Sequence, residues 1–253
     1  MPRKKFDNLL KKIEDKTPRL AVLIDPDKFN EDLILLANKN NVFCFLIGGS
    51  QLENGNLKKT VSRIKKRSSI PILLFPGDET QLSKEADGLL LLSLLSGRNP
   101  DYLIGKHVLA AQEIKKMRLP ILSTAYLLIA SKGQSSTEKV SKTLPLHPDK
   151  TEVIINTALA AEQLGFKAVY LEAGSGANQP ISPALIRAIK KTVDIPVLVG
   201  GGIDSKSRVN KAIKAGANLV VIGNALEKNV HLLSEISGCF GIMKRSAYKK
   251  RRA

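Results

Sequence analysis

The chain has 253 residues, 43% of them hydrophobic, which fits one domain with a full core. Its two cysteines exclude a disulfide framework, no apolar run is long enough to span a bilayer, and the N-terminus lacks the apolar segment of a signal peptide, so we expect a reduced, cytoplasmic setting. The formal net charge of +17 suits nucleic acid, an anionic membrane surface or a phosphorylated substrate, but an aromatic content of 4% argues against a single-stranded nucleic-acid platform.

Apolar segments alternate with helical patterns along the whole chain. The near-continuous apolar runs are typical of parallel strands that are covered on both faces. The predicted strands span residues 19–25, 42–47, 70–75, 88–92, 120–129, 168–171, 196–199 and 219–222. Helical spacing of apolar residues predicts helices at residues 29–39, around 57–64, at 102–117, from about 151 to 165, at 184–191, around 209–213 and at 225–236.

Two connections depart from this alternation. Residues 80–86, between the third and fourth strands, offer little more than one helical turn, and residues 131–147 have too little apolar periodicity for more than a long loop or hairpin. Eight strand–helix units in this length favour an α/β fold of the (β/α)8 TIM-barrel type, with a short or missing helix after strand three. We expect a single domain over residues 1–253, with basic terminal tails at about 1–5 and 244–253.

Glycines follow the last two predicted strands. Gly201 and Gly202 end the seventh strand, and Gly223 with Asn224 ends the eighth. In many barrels the loops after these two strands bind phosphate, with backbone N–H groups pointing at the anion. We therefore predict a phosphate site there; the alternative is a pair of tight turns that bind no ligand.

The sixth strand ends on an isolated carboxylate. Glu172 follows the apolar run, and Gly174, Ser175 and Gly176 come next and expose backbone N–H groups and a hydroxyl that suit an anionic ligand. Because the strand fixes the direction of its side chain, Glu172 is a candidate general base, metal ligand or hydrogen-bond acceptor for a polyol. The residues alone leave these three roles open.

The first strand also ends on a carboxylate. Asp25 at this position can hold Mg²⁺ through one oxygen while substrate phosphates fill other positions. Ser50 follows the glycines that end the second strand and could add a hydroxyl oxygen. We interpret the neighbouring Asp27 as a helix N-cap.

The remaining polar residues give no further catalytic pattern. The three histidines lack metal-ligand spacing, so we predict ordinary surface or capping roles for His107, His147 and His231. Cys44 lies inside an apolar strand and is predicted to be part of the core.

In their order along the chain, these motifs resemble the geranylgeranylglyceryl phosphate synthase family, including its heptaprenylglyceryl phosphate synthase relatives. The resemblance covers nearly the whole chain. With Ala173, residues 170–177 resemble the Tyr-Leu-Glu-Ala-Gly-Ser-Gly-Ala motif of one subgroup of the family. The motifs that carry it are residues 23–28, 47–50, 96–100, 104–105, 170–177, 199–203 and 223–224.

The resemblance implies a Mg²⁺-dependent prenyltransferase of lipid biosynthesis that moves a polyprenyl group, expected to be geranylgeranyl, from its diphosphate to the C3 hydroxyl of sn-glycerol 1-phosphate. It implies Asp25 and Ser50 as metal positions and Tyr102 as a residue near the prenyl tail that sets its length, with ordinary packing on the barrel as the alternative for Tyr102. Glu172 then accepts the proton of the attacking hydroxyl or orients it, as a hypothesis. The resemblance places sn-glycerol 1-phosphate on Tyr170, Leu171, Glu172, Ala173, Gly174, Ser175, Gly176, Gly201, Gly202, Gly223 and Asn224.

Two other functions remain open at this point. Another phosphate-binding barrel enzyme, such as a phosphosugar isomerase or a thiamine-phosphate-type synthase, would share the glycine loops without needing the Asp25 metal site. A nucleic-acid-binding protein would use the basic surface, although no nucleic-acid partner is expected for the prenyltransferase. Its expected partners are the two small-molecule substrates, further copies of the chain in a homo-oligomer and, through residues 244–253, an anionic membrane surface.

Overall fold

The structure is a computed structural model that describes residues 2–15, 17–131 and 133–240, without the side chains of residues 2–5 and 7. Its centre is a closed barrel of eight parallel strands that pair in the order of the chain, with the last strand against the first. The predicted TIM barrel is thus confirmed. The strands are β1 (Arg19–Ile24), β2 (Cys44–Ile47), β3 (Ile72–Leu74), β4 (Gly88–Leu94), β5 (Ile121–Leu128), β6 (Ala168–Glu172), β7 (Val197–Gly200) and β8 (Leu219–Ile222).

Helices surround the barrel and pack against it through a shared apolar layer. They are α1 (Pro2–Glu14), α2 (Glu31–Asn38), α3 (Leu57–Lys65), α4 (Lys106–Met117), α5 (Ser136–Ser141), α6 (Thr151–Gln163), α7 (Pro183–Thr192), α8 (Lys206–Ala215), α9 (Asn224–Lys228) and α10 (Leu232–Ser237). A 3-10 turn spans Pro26–Lys28, and a π-helical turn spans Asp101–Gly105 directly before α4. Within the described residues, no helix is long and apolar enough to cross a membrane.

The connection between β3 and β4 lacks a helix, as predicted. All of residues 75–87 are described, and they form turns and bends only. The barrel is therefore uncovered by a helix on this side, and the wall there is completed by side chains of α4 and of the turns.

Two predicted elements differ from the structure. Residues 131–147 contain the short helix α5, which begins with a capping box between Ser135 and Glu138. A helix of six residues is too short to show a period in its apolar residues, so only its cap could have indicated it. The predicted helix at 225–236 is interrupted, because the Asn229 side chain accepts a hydrogen bond from the His231 N–H and thereby competes with helical pairing.

Helix α1, which was not predicted, closes the amino-terminal end of the barrel. It includes residues 2–5 of the predicted basic tail, whereas the tail at 244–253 lies outside the described residues. Phe6, Leu9 and Ile13 are buried in the same cluster as the interior residues of the strands. The Phe6 ring lies against Gly88, where a Cβ atom would overlap it.

Truncating the side chain at the centre of this contact should destabilise the whole barrel. We expect Phe6→Ala to lower the free energy of unfolding by about 3 to 5 kcal/mol, because a buried ring is replaced by a cavity that the strands cannot close. Lys11→Ala on the exposed face of the same helix should change it by less than about 0.5 kcal/mol. Chemical denaturation followed by circular dichroism measures both, and equal losses would show that α1 acts through helix propensity alone.

Candidate functional site

A cavity of about 800 Å³ opens at the carboxyl ends of the strands. The loops after β1, β2, β6, β7 and β8 all contribute to its wall. It therefore lies at the end of the barrel where TIM-barrel enzymes bind their substrates. Asp25, Ser50, Glu172, Gly201 and Asn224 line it together.

Side chains along β6 point alternately into the barrel and toward the helices, and this decides which of them can reach the cavity. Ala168 and Tyr170 belong to the interior cluster, whereas Val169, Leu171 and Ala173 pack in the layer between strands and helices. Leu171 and Ala173 therefore do not line the cavity, and neither does Gly174, although all three were predicted to contact glycerol phosphate. The predicted glycerol phosphate residues whose atoms line the cavity are Tyr170, Glu172, Ser175, Gly176, Gly201, Gly202, Gly223 and Asn224.

Glu172 is the buried carboxylate of the site. Its side chain is 7% exposed, and its Oε1 accepts a hydrogen bond of 2.7 Å from the Gly174 N–H. Burial raises the pKa of Glu172 from 4.5 to about 7, although the Gly174 N–H and the neighbouring Tyr170 hydroxyl act in the opposite direction. A carboxylate with this pKa is balanced between its two protonation states at neutral pH, as a general acid or base requires.

Three aromatic rings pack together next to Glu172. The rings of Tyr126 and Tyr170 are 5.2 Å apart and nearly parallel, and Phe75 packs against both. The Tyr170 hydroxyl lies beside Glu172 and finds no hydrogen-bond partner of regular geometry among the described residues. Burial raises the pKa of Tyr170 well above its usual value, so its hydroxyl stays protonated and can donate.

Both the available space and the backbone conformation require glycine at the end of β7 and directly after it. A Cβ at Gly200 would overlap the Tyr170 hydroxyl, and one at Gly201 would overlap Glu172 Oε1. Gly201 also has a φ of +79°, a conformation that residues with a side chain rarely adopt. The loop can therefore approach Glu172 only because these two positions lack side chains.

An arginine that the sequence analysis missed ties two of the loops together. Arg208 donates through Nη1 to Gly202 O at 2.9 Å and through Nη2 to Asn178 O at 3.0 Å, and it pairs with Asp204 at 2.7 Å. It thereby joins the loop after β7 to the loop after β6. An arginine in the first turn of a helix that follows a glycine loop could have been predicted from the sequence to lie near a phosphate site. Its bond to Asn178 could not, because Asn178 belongs to a segment distant in the chain.

A second bond joins the loops after β6 and β8. The Ser175 hydroxyl donates to Asn224 Oδ1 at 3.0 Å. Together with Arg208, this bond holds the loops after β6, β7 and β8 as one surface of backbone N–H groups and small polar side chains. Such a surface is suited to a phosphate.

Asp25 lies at the end of β1, the strand that pairs with β8 in the barrel. Its Oδ1 accepts the Asp27 N–H at 3.0 Å and lies against Gly49, the residue before Ser50. Burial raises the pKa of Asp25 above its ordinary value, although the Asp27 N–H and the positive charge of Lys28 lower it. The residues that the structure describes contain no group of three His, Cys, Asp or Glu that could bind a metal, so any cation here would take one carboxylate and further oxygen ligands.

The prediction that Asp27 is a helix N-cap is wrong. Asp25 caps the 3-10 turn and Asn30 caps α2, while the Asp27 carboxylate accepts the N–H groups of Glu53, Asn54 and Gly55. These bonds lower the pKa of Asp27. Asp27 therefore shapes the loop after β2, which a spacing of 26 residues in the sequence does not reveal.

A second cavity, of about 110 Å³ and with largely aliphatic walls, lies beside the first. It occupies the side of the barrel between β3 and α4 where a helix is missing, and Leu82, Leu91 and Ile114 belong to its wall. Tyr102 also lines it and donates its hydroxyl to Val140 O at 3.1 Å. His107 differs from its predicted surface or capping role, because it lines this cavity and its Nε2 lies 2.8 Å from Leu92 O.

The chain is similar to proteins of one family over most of its length. The PcrB family model matches residues 12–238. The chain is 44% identical to the geranylgeranylglyceryl phosphate synthase of Spirosoma linguale over 221 residues, which cover 86% of this chain and 89% of that protein. It is 45% identical to the protein of the same name from Flavobacterium johnsoniae over 216 residues, which cover 84% and 89%.

A solved structure also has a fold similar to that of this chain. The (S)-3-O-geranylgeranylglyceryl phosphate synthase of Thermoplasma acidophilum, crystallised with sn-glycerol-1-phosphate, superposes with a TM-score of 0.84 at 28% identity and covers 91% of this chain and 94% of its own. The tryptophan synthase α-subunit of Pyrococcus furiosus, with a TM-score of 0.53 and 17% identity, shares the barrel fold alone.

Proposed function

The chain belongs to the PcrB family, and we propose that it is a prenyltransferase that joins a polyprenyl group to the C3 hydroxyl of sn-glycerol 1-phosphate. The observation that carries this proposal is the buried Glu172, with a pKa of about 7, between glycine loops suited to phosphate and a neighbouring aliphatic cavity. The names of the relatives from Spirosoma and Flavobacterium and the substrate in the Thermoplasma structure support the same reaction.

The glycerol phosphate is bound by the joined loops after β6, β7 and β8. Backbone N–H groups at Gly201, Gly202, Gly223 and Asn224 bind the phosphate, and Arg208 keeps these loops in register. Ser175 and Asn224, which already bond to each other, face the same ligand. The phosphate at one end of the substrate then fixes the distance at which its far hydroxyl meets Glu172.

The transfer forms one C–O bond, breaks another and moves one proton. The C3 oxygen of glycerol phosphate attacks C1 of the prenyl group, and the bond between C1 and the diphosphate oxygen breaks, with the electron pair leaving on the diphosphate. Glu172 accepts the proton of the attacking hydroxyl, because its burial keeps it basic enough to do so at neutral pH. The packed rings of Phe75, Tyr126 and Tyr170 beside it reduce the access of water that would compete with the hydroxyl.

Asp25 and Ser50 are our proposed positions for Mg²⁺. The arrangement fits a magnesium ion, because Mg²⁺ is commonly held by one or two carboxylates and by substrate phosphates, and the Asp25 carboxylate lies against Gly49 at the edge of the cavity that Ser50 also lines. When bound, the ion neutralises charge on the leaving diphosphate. Asp25 and Ser50 thus place the diphosphate in the same cavity as the glycerol phosphate loops.

The prenyl tail occupies the aliphatic cavity in this proposal. The missing helix after β3 opens that side of the barrel to a long apolar ligand. Tyr102 lies in the wall, tied to Val140, and is proposed to limit the length of the tail. The isomerases and synthases that share the glycine loops have no need of such a cavity, which is why we prefer the prenyltransferase.

Incubation with labelled sn-glycerol 1-phosphate and prenyl diphosphates of graded length tests the proposal directly. We expect a Mg²⁺-dependent ether product and release of diphosphate, and the length series reports which tail fits beside Tyr102. Removal of Mg²⁺ with a chelator should stop the reaction. Turnover of a different phosphate ester, with none of glycerol 1-phosphate, would favour another phosphate-binding barrel enzyme instead.

A homo-oligomer and a peripheral membrane contact complete the proposal. The net charge of +17 supports attraction to anionic lipid. Light scattering measures the oligomeric state. Sedimentation with anionic liposomes, with and without residues 244–253, measures the membrane contact.

A further inference from the structure

The short helix α5 lies where the two cavities meet. Thr137 and Val140, both on this helix, line the polar cavity and the aliphatic cavity alike. Ser50, Phe75 and Tyr126 also line both, so the junction is bounded by the ends of β2, β3 and β5 on one side and by α5 on the other. A ligand with a charged head and an apolar tail must change from one environment to the other at this place.

Helix α5 is held at this junction by contacts at both ends. The capping box between Ser135 and Glu138 fixes its start. At its end, Tyr102 donates to Val140 O, and the Asn99 amide donates to Ser141 O at 2.9 Å. Its side chains are therefore presented to the junction from a defined position.

Three polar residues of α5 line the polar cavity, namely Ser136, Thr137 and Lys139. The Thr137 hydroxyl oxygen lies 3.4 Å from the Ser50 hydroxyl oxygen, next to the proposed metal position. Lys139 also lines this cavity, and it forms no ion pair with any residue in the described ranges. In contrast, Lys28, which follows β1, is paired with Glu227 at 3.2 Å and lies 3.8 Å from Asp25.

The position of Lys139 sets it apart from the other cations of the cavity. Among the described residues, the basic side chains that line the polar cavity are Lys28, Lys139, Arg208 and Lys228. Arg208 is bound to the phosphate loops, and Lys228 follows the loop after β8. Lys139 is carried by the element that also lines the aliphatic cavity, so its charge is available where a diphosphate joins an apolar tail.

We propose that Lys139 and Thr137 bind the diphosphate of the prenyl donor beside Ser50. The inference rests on the proposed function and adds to it the part of the chain that recognises the leaving group. Lys139 supplies a charge-assisted bond to a phosphate oxygen, and the Thr137 hydroxyl donates to a second one. Because α5 closes the junction, the same contact aligns C1 of the prenyl group with the polar cavity.

The test separates binding of the donor from binding of the acceptor. Lys139→Ala should raise KM for the prenyl diphosphate by about 10- to 100-fold and leave KM for glycerol phosphate within about twofold. Lys139→Arg should restore most of the loss, and Thr137→Val should raise the same KM by a smaller factor. The matched control is Lys142→Ala, which removes an exposed lysine three residues further on that lines neither cavity.

Calorimetric titration with inorganic pyrophosphate, with and without Mg²⁺, provides a readout that needs no turnover. We expect Lys139→Ala to weaken pyrophosphate binding by a similar factor and Lys142→Ala to leave it unchanged. Equal affinity in wild type and Lys139→Ala, or equal losses in the two lysine variants, would overturn the inference even if wild type makes the ether product. An inactive wild type that still binds pyrophosphate through Lys139 would refute the proposed function and leave the anion site in place.

Discussion

Glu172→Gln should lower kcat by about 10²- to 10⁴-fold, the range that a positioned general base contributes. Glutamine has nearly the shape of glutamate and can still accept the Gly174 N–H, but it cannot take a proton from the attacking hydroxyl. The affinity for glycerol phosphate should stay nearly unchanged, because the proposed phosphate site is formed by the loops after β7 and β8. Steady-state kinetics and calorimetry measure the two quantities separately.

The pH dependence provides an independent check on the same residue. Since the pKa of Glu172 is raised to about 7 by burial, activity should rise as pH increases through that value, as the carboxylate loses its proton. The Gln variant should lack this step. Glu113→Gln, at an exposed carboxylate on α4, serves as the control and should keep both the rate and the pH profile. Near-normal turnover in Glu172→Gln would remove the assignment of this residue as the base.

The raised pKa also has a consequence for stability, opposite in sign to that of most carboxylates. Between pH 4.5 and 7 the folded state binds the Glu172 proton more tightly than the unfolded state, so its contribution to stability is present at low pH and is lost as pH rises. The full shift corresponds to roughly 3 kcal/mol above pH 7. Without ligand, Glu172→Gln should therefore melt at a higher temperature than wild type at pH 8, and this difference should disappear near pH 4.

Among substitutions that add a single methyl group to the site, Gly201→Ala should reduce ligand binding and activity the most. A Cβ there would overlap Glu172 Oε1 and lie 2.9 Å from the N atoms of Ala173 and Gly174, so the loop after β7 or the carboxylate must move. We expect the affinity for glycerol phosphate to fall by about 100-fold or more, since the N–H groups proposed to bind phosphate are displaced together with Glu172. The measurements are titration with glycerol phosphate and the rate of transfer.

A control is needed because Ala at a φ of +79° is strained wherever it occurs. Gly165 has a φ of +89°, and no described atom lies within 4 Å of a Cβ placed there. Gly165→Ala should therefore lower stability by about 1 kcal/mol and leave activity unchanged. If Gly201→Ala loses no more activity than Gly165→Ala, the close approach of this loop to Glu172 is irrelevant to binding.

The predicted site residues illustrate where local chemistry is sufficient. Asp25, Glu172, Gly201 and Gly223 each stand at the end of an apolar run, and parallel strands in a barrel bring all such ends to one face. Their presence around one cavity follows from topology alone. The role of Asp27 was misread because its three hydrogen-bond donors come from residues 53–55, which nothing in its own neighbourhood indicates.

By itself the sequence determined the order and position of the eight strands, the missing helix after β3 and the glycine loops, because apolar runs and glycine turns express preferences of a few neighbouring residues. Only the tertiary structure decided that α1 closes the barrel, that Arg208 joins two loops and that α5 stands at the junction of two cavities. It also decided the pKa of Glu172. These properties depend on contacts between segments distant in the chain and on the removal of water around them, neither of which a local pattern encodes.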